Sequence, residues 1–408
     1  MHEFPVEPPA ARAQTPAQWA VRWHGLVAAA LLTASVPVLH LAWHVVGGQP
    51  EPLLVTRSQV PAPPVRWAKL ADGSWMLAAE RYLREASPVV WWLRGSWNEL
   101  LLRAGVSQCE SVHVGQAEWL FLRAEVEADD VRFRAGAEVR RQAFTTVRDR
   151  VRAAGAELLV LVVPDKSRIY PEFAYPGGVV SPAKADHYAT LLGELRDCGI
   201  AAADAATALQ AARAANPTEL FYYRTDTHWR PLGALAAAQA VAAVVEGGPL
   251  AARLSPRHAL QLGAHSGRPG LGDLAASLGI GTIEVEAGGG KRHAAALSLT
   301  AQRFVEPFDS YSVAPVDPQE RLVLDGKDPA ASILLVGTSY TDANGLQALM
   351  LALGRSIRVV QENGATSLVP MQRALRELAD PAKPRPQLVV WEIVERGFLE
   401  DGWRNPGF

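Results

Sequence analysis

Cysteine is scarce in this chain, and no zinc-like spacing of Cys and His occurs in it. Only Cys109 and Cys198 are present among 408 residues. The two can pair in an oxidising compartment or remain two thiols in a reducing one. The sequence leaves both outcomes open, because it does not give their separation in space. Without clustered Cys and His ligands, a zinc site is disfavoured, and we predict no metal and no cofactor.

A surplus of basic charge is also missing. The chain has 40 Lys and Arg against 42 Asp and Glu, for a net charge of -2. A protein that binds nucleic acid through its phosphates normally carries excess positive charge, so we predict no nucleic-acid partner. The hydrophobic share of 49% and the charged share of 20% are typical of a globular protein. The length predicts one large domain with an appendage, or two domains. No internal repeat is found.

One long hydrophobic run is present near the N terminus. Residues 26–46 read LVAAALLTASVPVLHLAWHVV, without Asp, Glu, Lys or Arg. A helix of about twenty such residues spans a hydrocarbon core. The run is long for a signal peptide, and no clear cleavage site follows it. It is also apolar on every face, which disfavours a buried core helix. We therefore predict a transmembrane anchor at residues 25–47, preceded by a polar tail at residues 1–24.

The basic residues that flank this run do not set its orientation. Arg12 and Arg22 precede it, and Arg57 and Arg66 follow it at a comparable distance. The segment that follows, residues 48–109, combines a Pro-rich spacer with a Trp-rich helical pattern, which we interpret as a membrane-proximal packing region.

From about residue 110 to residue 408 the pattern is that of an α/β domain. Short apolar runs predict buried strands at residues 158–163, 333–336, 357–360 and 388–391. Helical patterns lie between them, at residues 139–154, 183–197, 231–245 and 369–378. This alternation predicts a parallel sheet covered by helices on both faces. Residues 250–330 lack clear periodicity and are interpreted as a long insertion.

The first candidate for chemistry is Ser339, in the segment LLVGTSYTDANG. The residue follows a predicted strand and precedes a predicted helix, which is where ligands bind in open α/β sheets. Free N–H groups at a helix start can stabilise an oxyanion. The spacing differs from the G-x-S-x-G elbow of α/β-hydrolases. A lone Ser in such a turn is more often structural.

The second candidate is the segment YYRTDTHW, in which Asp226 and His228 are two residues apart. In an extended segment the two side chains point to the same side. A carboxylate beside an imidazole fixes its tautomer and stabilises its protonated form, as a general base requires. The alternatives are a helix-capping Asp with a buried His, or a metal site, for which a further ligand at suitable spacing is lacking. Pro231 suits the first position of a helix.

The order and spacing of DTHW and GTSY resemble those of the alginate O-acetyltransferase family of the AlgJ/AlgX type. The similarity extends over about residues 110–400 and includes VHVGQAEWLFL, VPDKSRIYPE, GDL, LVPM and VWEIVER. Glu118 stands where the family usually has Gly, a difference that we expect to alter only a turn. The chain ends soon after VWEIVER, without the carbohydrate-binding module of AlgX-type members, so it looks more like the membrane-anchored AlgJ type.

The resemblance implies an SGNH-hydrolase-like parallel sheet flanked by helices, with Ser339 as the nucleophile, His228 as its base and Asp226 orienting His228. The candidate oxyanion donors are the backbone N–H of Ser339 or Tyr340, followed by the side chains of Asn344 and Asn363. Three further candidate site residues each have two possible roles. Lys166 and Tyr170 would line the pocket or serve for packing and capping. Arg396 would bind an anionic substrate or pair with Glu392 or Glu395.

The function that the resemblance implies is O-acetylation of an exported polysaccharide through an acyl-serine. Its acetyl donor would be a membrane-embedded acyltransferase. The location would be the inner membrane, with residues 1–24 cytoplasmic and the catalytic domain in the periplasm. Two rivals stay open: an O-acetyl esterase with the same triad, and a non-catalytic scaffold that binds polysaccharide or export machinery.

Overall fold

The computed structural model describes residues 74–78, 80, 97–104, 109–127, 129–280, 282–287, 290–295, 301–364, 366–404 and 407. The predicted tail, the predicted anchor at residues 25–47 and the Pro-rich spacer lie outside these residues. Among the residues that are described, no helix is both long and apolar enough to cross a membrane. In the Trp-rich segment, residues 74–78, 80 and 97–103 are helical.

Eleven strands are present in the described part of the chain. They are β1 (Val112–Val114), β2 (Leu120–Leu122), β3 (Glu157–Val163), β4 (Ala201–Asp204), β5 (Leu260–Gly270), β6 (Thr282–Ala287), β7 (Gly290–Ala295), β8 (Glu306–Pro315), β9 (Ile333–Gly337), β10 (Ile357–Gln361) and β11 (Leu388–Val394).

Eleven α-helices follow the first two strands in the described part of the chain. They are α1 (Arg123–Val126), α2 (Asp130–Ala135), α3 (Ala137–Ala153), α4 (Lys166–Ile169), α5 (Pro171–Ala174), α6 (Pro182–Asp197), α7 (Ala205–Ala215), α8 (Pro231–Glu246), α9 (Asp273–Ser277), α10 (Leu346–Leu353) and α11 (Leu368–Ala379). A π-helical turn at Thr341–Gly345 leads into α10. Short 3-10 turns occur at Gln116–Glu118, Pro249–Arg253, Ala301–Phe304, Glu395–Leu399 and Asp401–Arg404.

Five of the strands form a central parallel sheet in the order β10-β9-β11-β3-β4. In the middle of the sheet, Leu388 of β11 lies opposite Ile333 of β9 on one side and Glu157 of β3 on the other. Because all five strands run in the same direction, their carboxyl ends meet at one edge. The prediction of an α/β fold with a parallel sheet flanked by helices is confirmed.

Both faces of the sheet are buried, as β3 illustrates. Its Leu159 and Leu161 pack with α7, α8 and α10 on one face, whereas its Val160 and Val162 pack with α3, α6 and α11 on the other. Fully burying one such side chain contributes about 2 kcal/mol to the free energy of folding. Burial on both faces explains why the strand reads as an uninterrupted apolar run.

The strands and helices predicted from apolar runs and helical patterns begin and end within two residues of the predicted positions, except that β11 continues to Val394, three residues beyond its predicted end. Two features were not predicted. The residues of β4, AAAD, carry no strand signal. The segment VHVGQAEWLFL forms the hairpin β1–β2, which consists of two antiparallel strands. Glu118 lies in the turn of this hairpin at φ 67°, in the left-handed region that favours glycine.

The predicted insertion at residues 250–330 contains regular structure. Strands β5 and β8 form an antiparallel ribbon in which His265 lies opposite Tyr311, with an irregularity between Leu262 and His265. Nearly all of β5 is exposed, so no alternation of apolar residues marks it in the sequence. We refer to this pair of strands as the ribbon.

The chain divides into two units. Residues 97–282 and 295–408 form one, which contains the central sheet and the ribbon. Residues 1–96 and 283–294 form the other, whose described part contains the helical residues 74–78 and 80 and most of β6 and β7.

Cys109 and Cys198 are both thiols. The Cys109 Sγ lies 3.0 Å from the Ser111 hydroxyl, and the buried Cys198 thiol donates to the carbonyl of Arg141 at 3.7 Å. The structure therefore contains no Cys109–Cys198 disulfide.

Candidate active site

Ser339 lies at the carboxyl edge of the sheet, just after β9. Helical backbone begins at Ser339 itself, and the side chain is half-buried. The strand ends at Gly337, where an added Cβ would lie 2.1 Å from the Thr341 hydroxyl and 2.7 Å from a carboxylate oxygen of Glu392. Glycine at this position leaves room for the side chains of Thr341 and Glu392, which a Cβ would displace.

Glu392 lies beneath this turn, on the neighbouring strand β11. One of its oxygens accepts the Thr338 hydroxyl at 2.6 Å and the Thr338 N–H at 3.3 Å. The other accepts the Thr341 hydroxyl at 2.6 Å. Complete burial raises the pKa of this carboxyl, although these hydrogen bonds act in the opposite direction. The residues on both sides of Ser339 are thus fixed to the sheet.

His228 connects Ser339 with Asp226. Its Nε2 lies 2.8 Å from the Ser339 Oγ, and its Nδ1 lies 2.6 Å from the Asp226 Oδ1. An ionised carboxylate can only accept, so Nδ1 carries the proton and Nε2 is left to accept from the serine hydroxyl. The structure therefore brings Ser339, His228 and Asp226 into one hydrogen-bonded chain, with the geometry of a serine nucleophile and its base.

The segment that contains Asp226 and His228 is bent, not extended as predicted. Tyr222 and Trp229 form an isolated antiparallel bridge, and the residues between them turn back on themselves. The Asp226 Oδ1 accepts the backbone N–H of His228 at 2.9 Å. The two side chains meet because this local bond closes the bend, and not because of strand alternation. We call residues 222–229 the bend loop.

Lys166 fixes the bend loop from within the protein. Its side chain is fully buried, and its ammonium donates to the carbonyls of Tyr223 at 3.1 Å, Arg224 at 3.3 Å and Asp226 at 2.7 Å. Burial lowers the pKa of this ammonium. Of the two roles considered for Lys166, the structure therefore shows the packing and capping role, because the backbone of the loop accepts all three of these bonds.

Glu306 and Asp273 hold the loop from two other directions. Glu306 accepts the N–H of Thr225 at 2.7 Å and its hydroxyl at 2.5 Å. Asp273 accepts the N–H of Thr227 at 2.8 Å and its hydroxyl at 2.6 Å. The backbone N–H of Asp273 donates to the free oxygen of Asp226 at 2.9 Å. Both carboxylate oxygens of Asp226 therefore accept hydrogen bonds, which fix the orientation of the side chain.

The loop lies against Gly272 at very short range. A Cβ at position 272 would be 2.1 Å from the carbonyl oxygen of Thr225 and 2.5 Å from the nitrogen of Asp226. This close approach explains the glycine of the GDL segment, and the adjacent Asp273 supplies the contacts described above.

The electrostatics of the three groups favour an ionised Asp226. Burial favours the protonated form of Asp226, yet the hydrogen bond and charge of His228 and the backbone N–H groups lower its pKa below 3.8. Burial favours a neutral His228, but Asp226, followed by Asp273, outweighs it and raises the pKa of His228 above 6.5. Burial and the charge of Asp226 raise the pKa of Asp273.

Asp226, His228 and Asp273 offer three potential metal-ligand atoms within 4.8 Å of one another. Each of them already has a protein partner: Asp226 binds His228, His228 also faces Ser339, and Asp273 binds Thr227. Hydrogen bonding accounts for this clustering, so the expectation of no metal stays a prediction.

Tyr340 ties the serine turn to the bend loop. Its buried hydroxyl donates to the carbonyl of Thr227 at 2.5 Å and accepts from the Arg396 guanidinium at 3.3 Å. Arg396 also donates to Glu125 at 3.1 Å. Complete burial raises the pKa of Glu125 to about 7 despite that guanidinium.

The ion-pair partners predicted for Arg396 are wrong. Glu392 accepts from Thr338 and Thr341 beneath the serine turn, and Glu395 pairs with Arg168 at 2.6 Å. The side chain of Arg396 is 19% exposed, and its predicted contact with an anionic substrate stays a prediction.

Tyr170 is a core residue and not a pocket residue. It is 1% exposed, its ring centroid lies 4.4 Å from that of Trp119, and its hydroxyl accepts the N–H of Phe221 at 2.8 Å. The packing alternative is therefore the correct one for Tyr170, which supports the chain just before the bend loop.

The asparagine amides proposed as oxyanion donors are engaged elsewhere. Asn344, at φ 66°, donates to the carbonyl of Asp309 at 3.0 Å and accepts the N–H of Tyr311 at 3.3 Å. The exposed Asn363 donates to Asp342 at 2.7 Å. The backbone N–H of Ser339, at the first helical position, stays the leading candidate. That of Tyr340 makes only a 3.5 Å contact with the Thr338 hydroxyl.

Sequence reasoning missed three supporting residues: Asp273, Glu306 and Glu392. A carboxylate inside the buried apolar run LVVWEIV was a usable signal for Glu392, and the position of Asp273 after Gly272 was another. Glu306 begins an exposed strand without periodicity, and no pattern in the sequence marks it.

Proteins of one known family are similar to this chain. The family model "SGNH hydrolase-like domain, acetyltransferase AlgX" matches residues 112–395. The "Probable alginate O-acetylase AlgJ" of Pseudomonas syringae pv. tomato is 29% identical over 344 residues, or 80% of this chain and 78% of that protein. Its Pseudomonas putida counterpart is 30% identical over 337 residues, covering 80% of each.

A solved structure shows the same likeness. The O-acetyltransferase domain of Pseudomonas putida AlgJ superposes with a TM-score of 0.56 and 26% identity, covering 71% of this chain and 93% of that domain. The family model alone covers well over half of the chain. The chain belongs to the SGNH hydrolase-like acetyltransferase family of AlgX and AlgJ.

Proposed function

We propose that this protein is a serine-dependent O-acetyltransferase that transfers acetyl groups to hydroxyls of an exported polysaccharide. The observation that carries the proposal is the hydrogen-bonded chain from Ser339 through His228 to Asp226 at the carboxyl edge of the sheet. The relatives named as probable alginate O-acetylases support a uronic-acid polymer such as alginate as the acceptor.

In the first half-reaction the Ser339 Oγ attacks the acetyl carbonyl of the donor while His228 Nε2 takes the hydroxyl proton. The tetrahedral intermediate then expels the leaving group, which receives that proton from His228. The product is acetyl-Ser339. Asp226 stabilises the transient imidazolium and stays ionised, because its pKa lies well below that of His228.

In the second half-reaction a sugar hydroxyl attacks the acetyl-Ser339 carbonyl. His228 removes the proton of that hydroxyl and returns it to the Ser339 Oγ as the ester bond to the serine breaks. In both steps the backbone N–H of Ser339, at the start of the helical segment, is the proposed donor to the oxyanion. Water in place of the sugar hydroxyl would make the same steps an esterase reaction.

The donor and the location are further parts of the proposal. We propose anchoring by residues 25–47 in the inner membrane, with the catalytic domain in the periplasm and a membrane-embedded acyltransferase as the acetyl donor. Support comes from the uncharged run at residues 26–46 and from family membership. Such an anchor would hold Ser339 near the surface where a membrane-borne acetyl group emerges.

The test uses the full-length chain in detergent with p-nitrophenyl acetate as donor. Acceptors are oligouronates from deacetylated alginate and neutral oligosaccharides, and mass spectrometry detects acetylated sugar. We expect acetyl on a sugar with the parent protein and none with Ser339→Ala. Free acetate alone, despite suitable acceptors, would favour the esterase. Failure of Ser339 to react even with a fluorophosphonate probe, in a folded protein, would favour a non-catalytic scaffold.

A further inference from the structure

Around Asp309 of β8, the ribbon contacts both the bend loop and the serine segment. The Tyr223 hydroxyl accepts the N–H of Asp309 at 2.9 Å and donates to its carbonyl at 3.1 Å. Tyr223 is also bonded to His228 across the bend, because the Tyr223 N–H donates to the His228 carbonyl at 3.2 Å. From the other side, Asn344 donates to the same Asp309 carbonyl. This part of the ribbon is therefore joined to both segments that supply the reactive groups.

Four polar or aromatic side chains gather there, and we call them the ribbon cluster: Arg230, His265, Asp309 and Tyr311. One oxygen of Asp309 accepts from Arg230 at 2.7 Å, and the other lies 3.0 Å from the His265 Nε2. The rings of His265 and Tyr311 are 4.6 Å apart at an angle of 32°. Arg230 follows His228 by two residues.

The register of the ribbon puts His265, Asp309 and Tyr311 on one face. His265 pairs with Tyr311, and Gly267 pairs with Asp309 two positions along. A Cβ at Gly267 would lie 2.8 Å from an Asp309 carboxylate oxygen. Glycine at position 267 therefore leaves room for the Asp309 carboxylate on this face. Ser266 and Ser310, whose hydroxyls are 2.7 Å apart, belong to the opposite face.

The cluster is held from within and open outward. The side chain of His265 is 49% exposed, against 21% for Arg230 and 16% for Asp309. Arg230 uses one terminal nitrogen for Asp309, and a guanidinium has five donors. Each carboxylate oxygen of Asp309 has a second lone pair. Burial alone would raise the pKa of Asp309, but the hydrogen bonds and charges of Arg230 and His265 outweigh it and lower that pKa, so the carboxylate stays ionised.

The side chains of the ribbon cluster are of the kinds that bind sugars. A sugar ring presents neighbouring hydroxyls that both donate and accept, together with an apolar C–H face. An ionised carboxylate beside a guanidinium matches the hydroxyls. The adjoining His265 and Tyr311 rings offer flat surface with polar edges.

We propose that the ribbon cluster is an acceptor subsite that binds a sugar ring of the polysaccharide next to the one acetylated at Ser339. This inference rests on the proposed function and adds the residues that would select and place the acceptor. A uronate and a neutral hexose share the hydroxyl pattern, and the experiment separates them.

The experiment is calorimetric titration of the full-length chain in detergent, carrying Ser339→Ala to prevent turnover. The ligands are a hexasaccharide from deacetylated alginate and, as the neutral arm, cellohexaose. Further variants are His265→Ala and Tyr311→Ala, with Ser266→Ala on the opposite face of β5 as the matched control. We expect each of the two cluster variants to bind about tenfold more weakly and the control to bind like the parent. Binding of the uronate hexasaccharide but not of cellohexaose would show that the subsite recognises the sugar carboxyl group.

Equal affinity of all variants for the sugar, or no binding of either hexasaccharide, would overturn the inference. Thermal melting by circular dichroism checks folding, and the partly exposed His265 and Tyr311 should tolerate alanine. Acetylation of Ser339, measured separately in the parent, reports on the proposed function. Sugar binding without acetyl-Ser339 would retain the subsite and refute the transferase, whereas acetyl-Ser339 without sugar binding would do the reverse.

Discussion

The serine turn and the bend loop face each other across one 2.8 Å hydrogen bond, yet they are positioned by different means. Ser339 follows a strand buried within the sheet, and the carboxylate beneath it comes from the adjacent strand β11. The bend loop has no regular structure. It is held by Lys166, Asp273 and Glu306, whose bonds to it span 60, 46 and 81 residues of sequence.

This difference shows where the precision of the site comes from. A strand end in a parallel sheet inherits its position from many backbone bonds and from apolar packing. A loop without such bonds needs polar side chains to satisfy its buried carbonyls and N–H groups, since each unsatisfied group is costly. We therefore expect the loop to be more sensitive than the turn to the loss of one supporting side chain.

The largest effect is expected for the group that joins the two regions. Replacing His228 by alanine removes the base, so kcat/KM for p-nitrophenyl acetate should fall about a thousandfold. His258→Ala, at a partly exposed ion pair with Glu320, serves as the control and should keep the parent activity. Activity of His228→Ala within tenfold of the parent would exclude His228 as the base.

The next largest effect is expected for Lys166→Met, which keeps the apolar stem and removes the donor to three loop carbonyls. We expect a stability loss of about 3 kcal/mol in chemical unfolding. Displacement of His228 from Ser339 should lower kcat about a hundredfold. Lys327→Met, at a side chain that is 83% exposed, is the matched control. A Lys166→Met protein with full activity would show that the loop positions itself.

A smaller effect, with a pH signature, is expected for Asp273→Asn. His228 must be neutral to act as base, and its pKa is raised above 6.5 by Asp226 and then by Asp273. The acid limb of the kcat/KM profile of the parent should therefore lie above pH 6.5, with activity lost as pH falls through it. Removing the charge of Asp273 should move this limb to lower pH and reduce the plateau about tenfold.

The exposed Asp325→Asn is the control for that profile. An acid limb that moves to higher pH in Asp273→Asn, or does not move at all, would contradict the assigned role of the Asp273 charge.

The smallest effect is expected in the serine turn. Glu392→Gln retains the shape of the side chain and one carbonyl acceptor, and the sheet still holds the backbone on both sides. We expect kcat to fall only about threefold, with Glu362→Gln at an exposed position as the control. A loss equal to that of Lys166→Met would remove the proposed difference between the turn and the loop.

The same difference explains how far the sequence alone could predict the molecule. Strands β3, β9 and β11 were predicted because burial on both faces leaves apolar runs. The edge strand β10 was predicted from a shorter run that Arg358 interrupts and that is only partly buried. The residues AAAD of β4 and the exposed residues of the ribbon leave no such trace. Regular, buried elements are therefore the predictable part of this fold.

In the site, the sequence placed Ser339, Asp226 and His228 together, since spacing and resemblance both pointed to them. It failed on the supports. For Lys166 it left pocket lining and capping both open, because a buried ammonium that satisfies loop carbonyls has no local pattern and its partners lie 57 to 60 residues away. The bend itself depends on a bond from Asp226 to the His228 N–H, which residue spacing does not reveal.

Acyl transfer through Ser339 is tested most directly by rapid-quench mass spectrometry of the full-length chain mixed with p-nitrophenyl acetate. We expect an acetyl group on Ser339 within the first turnover, its disappearance when oligouronate is added, and its absence in Ser339→Ala. Acetyl release without any modification of Ser339, or modification that persists in Ser339→Ala at another residue, would contradict the acyl-serine route.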